Sequence, residues 1–222
     1  MHESTILQAP RSKLLKKDVF GSTHVMGTGE AAVVRRDTRD GRPILRWIAR
    51  RLLTAEARAL AVLEDLPGTP ELVRHDRHSL DRRYLPGAPM QEARPRDPEY
   101  FRQASRLLRQ LHRRGVAHND LAKEPNLLVT DGGHPAIIDF QLAWTTHRRN
   151  RLFRLLARED IRHLLKHKRT YCPERLTARE RNILDTPSLL SRAWMQTIKP
   201  VYLFVTRRLM GWQDREGAGD RV

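Results

Sequence analysis

Three side chains, Asp120, Asn126 and Asp139, are spaced so that they could form one oxygen-rich centre. Asp120 lies in the run His118-Asn119-Asp120-Leu121-Ala122-Lys123-Glu124-Pro125-Asn126, which leads directly into the apolar Leu127-Leu128-Val129, and Asp139-Phe140 follows thirteen residues after Asn126. A carboxylate can orient an attacking hydroxyl, while a carboxylate and an amide oxygen can hold a divalent cation on nucleotide phosphates. Phosphoryl transfer needs those two services, because most of its catalysis is positioning and charge neutralisation. Asp120 suits the first task, and Asn126 with Asp139 suits the second. Taken singly, an Asp before a strand reads as a cap or turn residue; the three together at this spacing read as a site. His118 is the second candidate in the catalytic run, better placed to brace the loop by hydrogen bonds than to move a proton.

The elements around this run must bring distant positions together. Before it, residues 14–15, 23–26 and 31–34 read as short antiparallel strands punctuated by Gly21 and by Gly27-Thr28-Gly29. Residues 44–66 switch to helical spacing, with Leu45, Ile48, Leu52, Ala59, Leu63 and Leu66 recurring every three or four positions, and Thr54 is expected to cap a second helical segment. Strands at 72–73 and 80–85 complete a small α+β lobe with a five-stranded sheet. Residues 100–113 form an amphipathic helix that stops at Gly115, and a hairpin of 127–129 with 136–138 turns at Asp131-Gly132-Gly133. Basic helical sequence continues to Arg169, and the segment 194–212 mixes aromatics with Lys199, Arg207 and Arg208. The reading is a single domain over 1–222, with a small lobe at about 11–87 and a helical lobe at about 96–215.

The 222 residues are enough to bury one proper core. Forty-two Lys and Arg against 26 Asp and Glu give a formal charge of +16, a field that favours phosphate-rich partners such as nucleotides, nucleic acid or anionic headgroups. Cys172 is the single cysteine and cannot form an internal disulfide; with no apolar leader in residues 1–10, an intracellular address is expected. The apolar run 201–205 is far below the roughly 20 residues that cross a bilayer. The 194–212 segment is expected to pack as core, with a basic-aromatic contact to anionic membrane as the alternative.

The loop from His118 to Asn126 and the later Asp139-Phe140 resemble the protein-kinase superfamily, whose catalytic loop reads H-x-D with a following Asn and whose metal Asp opens D-F-G. The resemblance spans roughly residues 13–160 and is greatest to the compact branches, the RIO kinases and the lipopolysaccharide-core Kdo kinases. It implies a bilobal fold, ATP with Mg²⁺ or Mn²⁺, and a hydroxyl-bearing acceptor that is either protein Ser/Thr or a lipopolysaccharide-core sugar. By the same likeness Glu56 is the helix-C glutamate, and Arg35 stands for the strand-three lysine and pairs with Glu56, with Arg36 an equally legible candidate. Gly21 belongs to a reduced glycine-rich loop, Phe20-Gly21-Ser22, and Asp160 is the helix-F aspartate that anchors the catalytic loop.

Four departures matter. Arginine replaces lysine, the interval from Asp120 to Asn126 is one residue longer than usual, Gln141 replaces the D-F-G glycine, and the glycine-rich loop is short. Asn119 stands where regulated kinases carry an arginine, and no A-P-E follows, so control by activation-loop phosphate is not expected. The implied location is cytoplasmic, including the inner face of the membrane. The rival reading is a catalytically weak pseudokinase scaffold whose basic surface binds anionic membrane or, less favoured, nucleic acid.

Overall fold

The computed structural model describes residues 12–186. Strands β1 (Ser12–Asp18), β2 (Gly21–Met26) and β3 (Val33–Asp37) form an antiparallel meander. Strands β4 (Leu72–His75) and β5 (Ser79–Arg83) complete a five-stranded sheet in the order β1-β2-β3-β5-β4. Between β3 and β4 runs one helix, α1 (Arg46–Val62), preceded by a 3-10 turn at Pro43–Leu45. Thr54 does not cap a second helix. Its hydroxyl donates to the carbonyl of Arg50 one turn back, and the helix passes straight through.

The expected stripe holds at its C-terminal end, where Ala59, Leu63 and Leu66 are buried, and departs from the structure in the first turns of α1. Ala49, Leu53, Glu56, Ala57, Ala59 and Leu60 are buried, whereas Leu45, Ile48 and Leu52 are only half-buried. The true stripe includes a carboxylate, which hydropathy reading passes over.

A short strand β6 (Ala88–Pro89) and a single helical turn, α2 (Met90–Ala93), lead into α3 (Pro98–Arg113). Asp97 caps α3 by accepting from the Glu99 amide, and Pro98 supplies the preset first helical position. Tyr100, Phe101, Ala104, Leu107, Leu108 and Leu111 line one face of α3 and are buried. Full burial of each large side chain contributes about 1.5–3 kcal/mol. Gly115 ends this stretch at φ +80°, and a Cβ there would lie 2.0 Å from the Thr146 carbonyl oxygen. Only glycine fits.

Strand β7 (Val116–Ala117) pairs with β10 (Trp144–Thr145), and β8 (Leu127–Val129) pairs with β9 (Pro135–Ile137) and β6. The long helix α4 (Arg151–Tyr171) is capped by Asn150, whose side chain accepts from the Phe153 amide. One apolar cluster joins both lobes: Leu53, Leu60 and Leu80 from the small lobe, Phe101, Leu108 and Leu111 from α3, and Leu127, Ile137 and Phe140 from the hairpin region. The expected five-stranded sheet and helical lobe are therefore present, and the fold is bilobal α+β. The chain divides at residue 177 into two units, the second contributing one described helix, α5 (Ala178–Asp185). The basic-aromatic segment 194–212 lies outside the described residues.

Candidate active site

The loop from His118 to Asn126 is suspended between β7 and β8, and α4 holds it at three places. Asp160 accepts from the His118 amide (2.7 Å) and the Asn119 amide (2.9 Å), while the His112 ring lies 3.1 Å from one of its oxygens. Asp160 is 1% exposed, so these contacts are what make burial of its carboxylate tolerable. Farther along α4, the His167 ring bonds the Leu121 carbonyl at 2.7 Å, and the Tyr171 hydroxyl donates to Glu124 at 2.6 Å. The expected anchoring role of Asp160 is thus visible as direct backbone hydrogen bonds.

Within the loop, Asn126 donates from Nδ2 to the Asp120 backbone carbonyl (2.9 Å) and to Asp120 Oδ2 (3.1 Å). That commits the amide nitrogen and leaves the amide oxygen as the donor available to a cation. Lys123 Nζ also donates to Asp120 Oδ2, at 2.9 Å. The residue that lengthens the loop is absorbed before a 3-10 turn at Glu124–Asn126, so Asn126 still enters β8 directly.

Asp139 reaches the same place from the far end of the hairpin. Leu127 pairs with Ile137, and the Ile138 amide donates to the Asn126 carbonyl at 3.0 Å, which puts Asp139 beside Asn126. The His118 ring bonds the Ile138 carbonyl at 2.9 Å and meets the Phe140 ring edge-on, with centroids 4.8 Å apart. His118 therefore braces the two segments against each other. Asp139 has a left-handed backbone, φ +66°, and its Oδ1 accepts a hydrogen bond from Gln141 Nε2. Gln141, standing where the kinase motif has glycine, holds the carboxylate in place.

The small-lobe side requires a correction. The expected Arg35–Glu56 ion pair does not form. Arg35 makes a two-pronged contact with Asp81 on β5, Nε to Oδ1 at 2.7 Å and Nη2 to Oδ2 at 2.6 Å, because the register sets Arg35 directly opposite Asp81. Strand alternation puts Arg36 on the other face, together with buried Val34 and with Leu80, which packs into the core with α1. Glu56, 2% exposed, pairs instead with Arg82, Oε1 to Nε at 3.2 Å.

Arg36 and Arg82 set the charge of this cleft. Burial pushes the Asp139 carboxyl up, but Arg36, Arg82 and the Gln141 hydrogen bond together hold it below the usual carboxylate value. For Glu56 burial wins: its carboxyl is raised, with Arg82 and Arg36 opposing and Asp139 adding to the rise.

Gly21 has a packing reason of its own. It is buried at the start of β2, and a Cβ on it would lie 2.0 Å from the Asp37 carbonyl oxygen, so its need for glycine comes from packing on the end of β3. Ser22 beside it is buried and donates to Asp40 at 2.6 Å.

Sequence reading passed over Lys123, Arg82, His167 and Tyr171. Lys123 lay in the decisive run itself, three residues after Asp120. Asp160, His167 and Tyr171 recur at i, i+7 and i+11, one face of α4, which is a readable sign of polar side chains aimed at a common partner. Arg82 carries no local signal, since its partner is fixed by sheet register.

One carboxylate and one amide oxygen form a hard oxygen donor pair suited to Mg²⁺, which keeps its other positions for phosphate oxygens and water. Among the described residues no cluster of three or more His, Cys, Asp or Glu could hold a metal. The fold is similar to that of solved kinases. The Rio2 kinase from Chaetomium thermophilum superimposes with a TM-score of 0.59 at 14% identity, covering 86% of this chain and 68% of that one. Its complex with ADP, Mg²⁺ and phosphoaspartate gives 0.57 at 14% identity, covering 86% and 66%. No curated protein matches the sequence. Residues 28–182 match the family described as the phosphotransferase enzyme family, and with that span covering more than half of the chain, this protein belongs to it.

Proposed function

We propose that the protein transfers the γ-phosphoryl group of ATP to the hydroxyl of a small molecule or glycolipid sugar. The observation that carries this reading is the convergence of Asp120, Asn126 and Asp139 through direct contacts of one loop and one hairpin. Asp120 orients the acceptor hydroxyl and takes up its proton. Lys123, bonded to the same carboxylate, places a positive charge beside the transferring group. Asn126 and Asp139 hold Mg²⁺, which when bound neutralises phosphate charge. The ADP and Mg²⁺ in the Rio2 complex support the same cofactor pair here.

A cavity of about 820 Å³ lies against Leu15, Val25, Ala32, Tyr84 and Pro86, apolar walls suited to a nucleotide base. Ala32 and Arg36 lie on the same face of the β3 backbone, about 13 Å apart along it, so a base in this cavity directs its phosphates toward Arg36 and Asp139. The acceptor side favours a small substrate. Only residues 140–150 separate Asp139 from α4, and Leu142 and Trp144 in that stretch are exposed. Asn119 Nδ2 donates to the Leu142 carbonyl at 3.0 Å, tying this apolar strip to the catalytic loop. An indole face offers a platform for a sugar ring, whereas a peptide needs a longer docking strand.

The test is turnover of pure protein with ATP and Mg²⁺ against a panel of sugar alcohols, with autophosphorylation read in parallel. Asp120→Ala is expected to lower turnover by a factor of about 10² to 10⁴ while nucleotide still binds. Equal turnover by Asp120→Ala and wild type would overturn the enzyme reading in favour of a scaffold. Autophosphorylation without sugar phosphorylation would move the acceptor to protein Ser/Thr.

A further inference from the structure

We propose that the groove between α3 and α4 is a second anion site, taking a compact ligand that carries two or more phosphoryl groups. The groove encloses about 310 Å³ and is walled by Arg109 and Arg113 from α3 and by Arg154 and Arg158 from α4, with Arg149 closing one end. All five arginines are exposed. His112 also lines the groove, and Phe153, Ala157 and Ile161 form its floor.

Among the described residues the groove has no acidic counterpart. None of the five makes an ion pair with a described carboxylate. The nearby acids are engaged elsewhere: Glu99 binds Arg102 and Arg106, Asp160 binds the catalytic loop and His112, and Glu159 acts on His163 and Lys166. Arg149 has one compensation, a 2.7 Å hydrogen bond to the Arg113 carbonyl at the C-terminal end of α3, where the helix dipole favours a cation. Arg109 donates to the Ser105 carbonyl at 3.1 Å. Arginines at i and i+4 on both helices repel each other and weaken each helix by a few tenths of a kcal/mol per pair, a cost that a bound anion would relieve.

The chemistry of the walls selects the ligand. Guanidinium forks match phosphate oxygens two at a time, which lysines would not do. The i,i+4 pairs repeat about every 6 Å along each axis, so each wall can meet successive phosphoryl groups of one short ligand. The aromatic ring in the floor, Phe153, is only 2% exposed, so no platform is available for stacking bases.

Calorimetric titration of the full chain with sodium tripolyphosphate, without divalent cation, tests this. Each arginine is expected to contribute about tenfold in affinity, so Arg109→Ala/Arg158→Ala should bind roughly a hundredfold more weakly. Arg36→Ala, which removes charge from the nucleotide cleft, should bind as wild type does through this groove. Arg109→Lys/Arg158→Lys keeps charge and loses the forks, and should fall between. The ligand should raise the thermal midpoint of wild type but not of the alanine pair. Loss of binding in Arg36→Ala with none in the arginine pair would overturn the proposal, as would equal affinity for sulfate. Binding of a duplex oligonucleotide that is lost in the alanine pair, with no binding of tripolyphosphate, would also overturn it and make the groove a nucleic-acid surface. Two further arms identify the source: vesicles bearing a bisphosphorylated inositol lipid, and the free headgroup. Capture by these vesicles and not by phosphatidylcholine ones supports a lipid headgroup as the ligand, and binding of the free headgroup alone supports a soluble metabolite.

Discussion

The two sides of the cleft are built by different physics. On the helical side, Asp160, His167 and Tyr171 hold the catalytic loop, and two of the three do so by bonding its main chain. On the other side, the small-lobe residues Arg36, Arg82 and Glu56 act on one another and on Asp139 of the hairpin through side-chain charge, with a single ion pair at 3.2 Å joining Glu56 to Arg82. Backbone-directed hydrogen bonds fix geometry, whereas a buried cluster of charges fixes electrostatic potential and answers to pH. Mutations on the first side should break structure and activity together, and those on the second should shift affinity while the fold persists.

Asp160→Ala is the most severe break of the helical side. It orphans the buried His118 amide and the Asn119 amide, and it leaves His112 without its carboxylate. A loss of about 3–5 kcal/mol in urea-unfolding stability is expected, together with collapse of turnover. Retained turnover with full stability would show that the loop is held by His167 and Tyr171 without Asp160.

The same division separates what is legible in the sequence from what is not. The catalytic loop and the hairpin lie within 22 consecutive residues, His118 to Asp139, so local spacing was enough to suggest that Asp120, Asn126 and Asp139 meet. The five strands and the two-lobe plan were likewise legible from changes of period and from Gly and Pro punctuation. The small-lobe charges were not. Val33-Val34 followed by Arg35-Arg36 has no alternation to tell one face from the other, and β3 runs on through Asp37 rather than stopping near Val34. Its register against β5, which pairs Arg35 with Asp81, is set by contacts 46 residues apart. The buried face of α1 was misjudged for a related reason: its central residue, Glu56, is charged, and only the arginines across the sheet make its burial tolerable.

The second prediction separates the two arginines and so tests the charge side directly. Arg36→Ala should weaken nucleotide binding by roughly tenfold or more, since a charge-assisted contact is worth about 1.5–3 kcal/mol, and should raise the Asp139 carboxyl toward its ordinary value. Asp139 is held low in the folded protein, so its carboxylate, and cation-dependent binding with it, persists at neutral pH and is lost as pH falls through the folded value. Removing Arg36 should therefore move the acid limb of nucleotide binding to higher pH. Arg35→Ala should leave both the affinity and the acid limb unchanged and cost about 1–3 kcal/mol of stability, because it leaves the buried Asp81 carboxylate without its partner. Titration of each variant across pH decides between them; loss of affinity in Arg35→Ala alone would reverse the faces of β3.

The smallest effect is expected where burial and charge nearly cancel. Glu56 is raised by desolvation more than Arg82 and Arg36 can offset, so the folded protein favours its protonated form more than the unfolded chain does. A carboxyl raised in this way costs stability once pH climbs above its unfolded value of about 4.5, and the cost grows until pH passes the folded value. Glu56→Gln removes that titration while keeping the shape and a hydrogen-bond acceptor for Arg82. At neutral pH the variant should match wild type to within about 1 kcal/mol, because Gln keeps an acceptor for Arg82, whose charge still acts on Asp139, and no carboxylate has to be buried. Wild type should gain on the variant as pH is lowered from neutral toward 4.5. Urea unfolding of both proteins at several pH values measures the difference. A gap that stays constant with pH, or that widens in favour of wild type as pH rises, would mean that Arg82 and Arg36 outweigh burial, and that the ion pair holds α1 to the sheet.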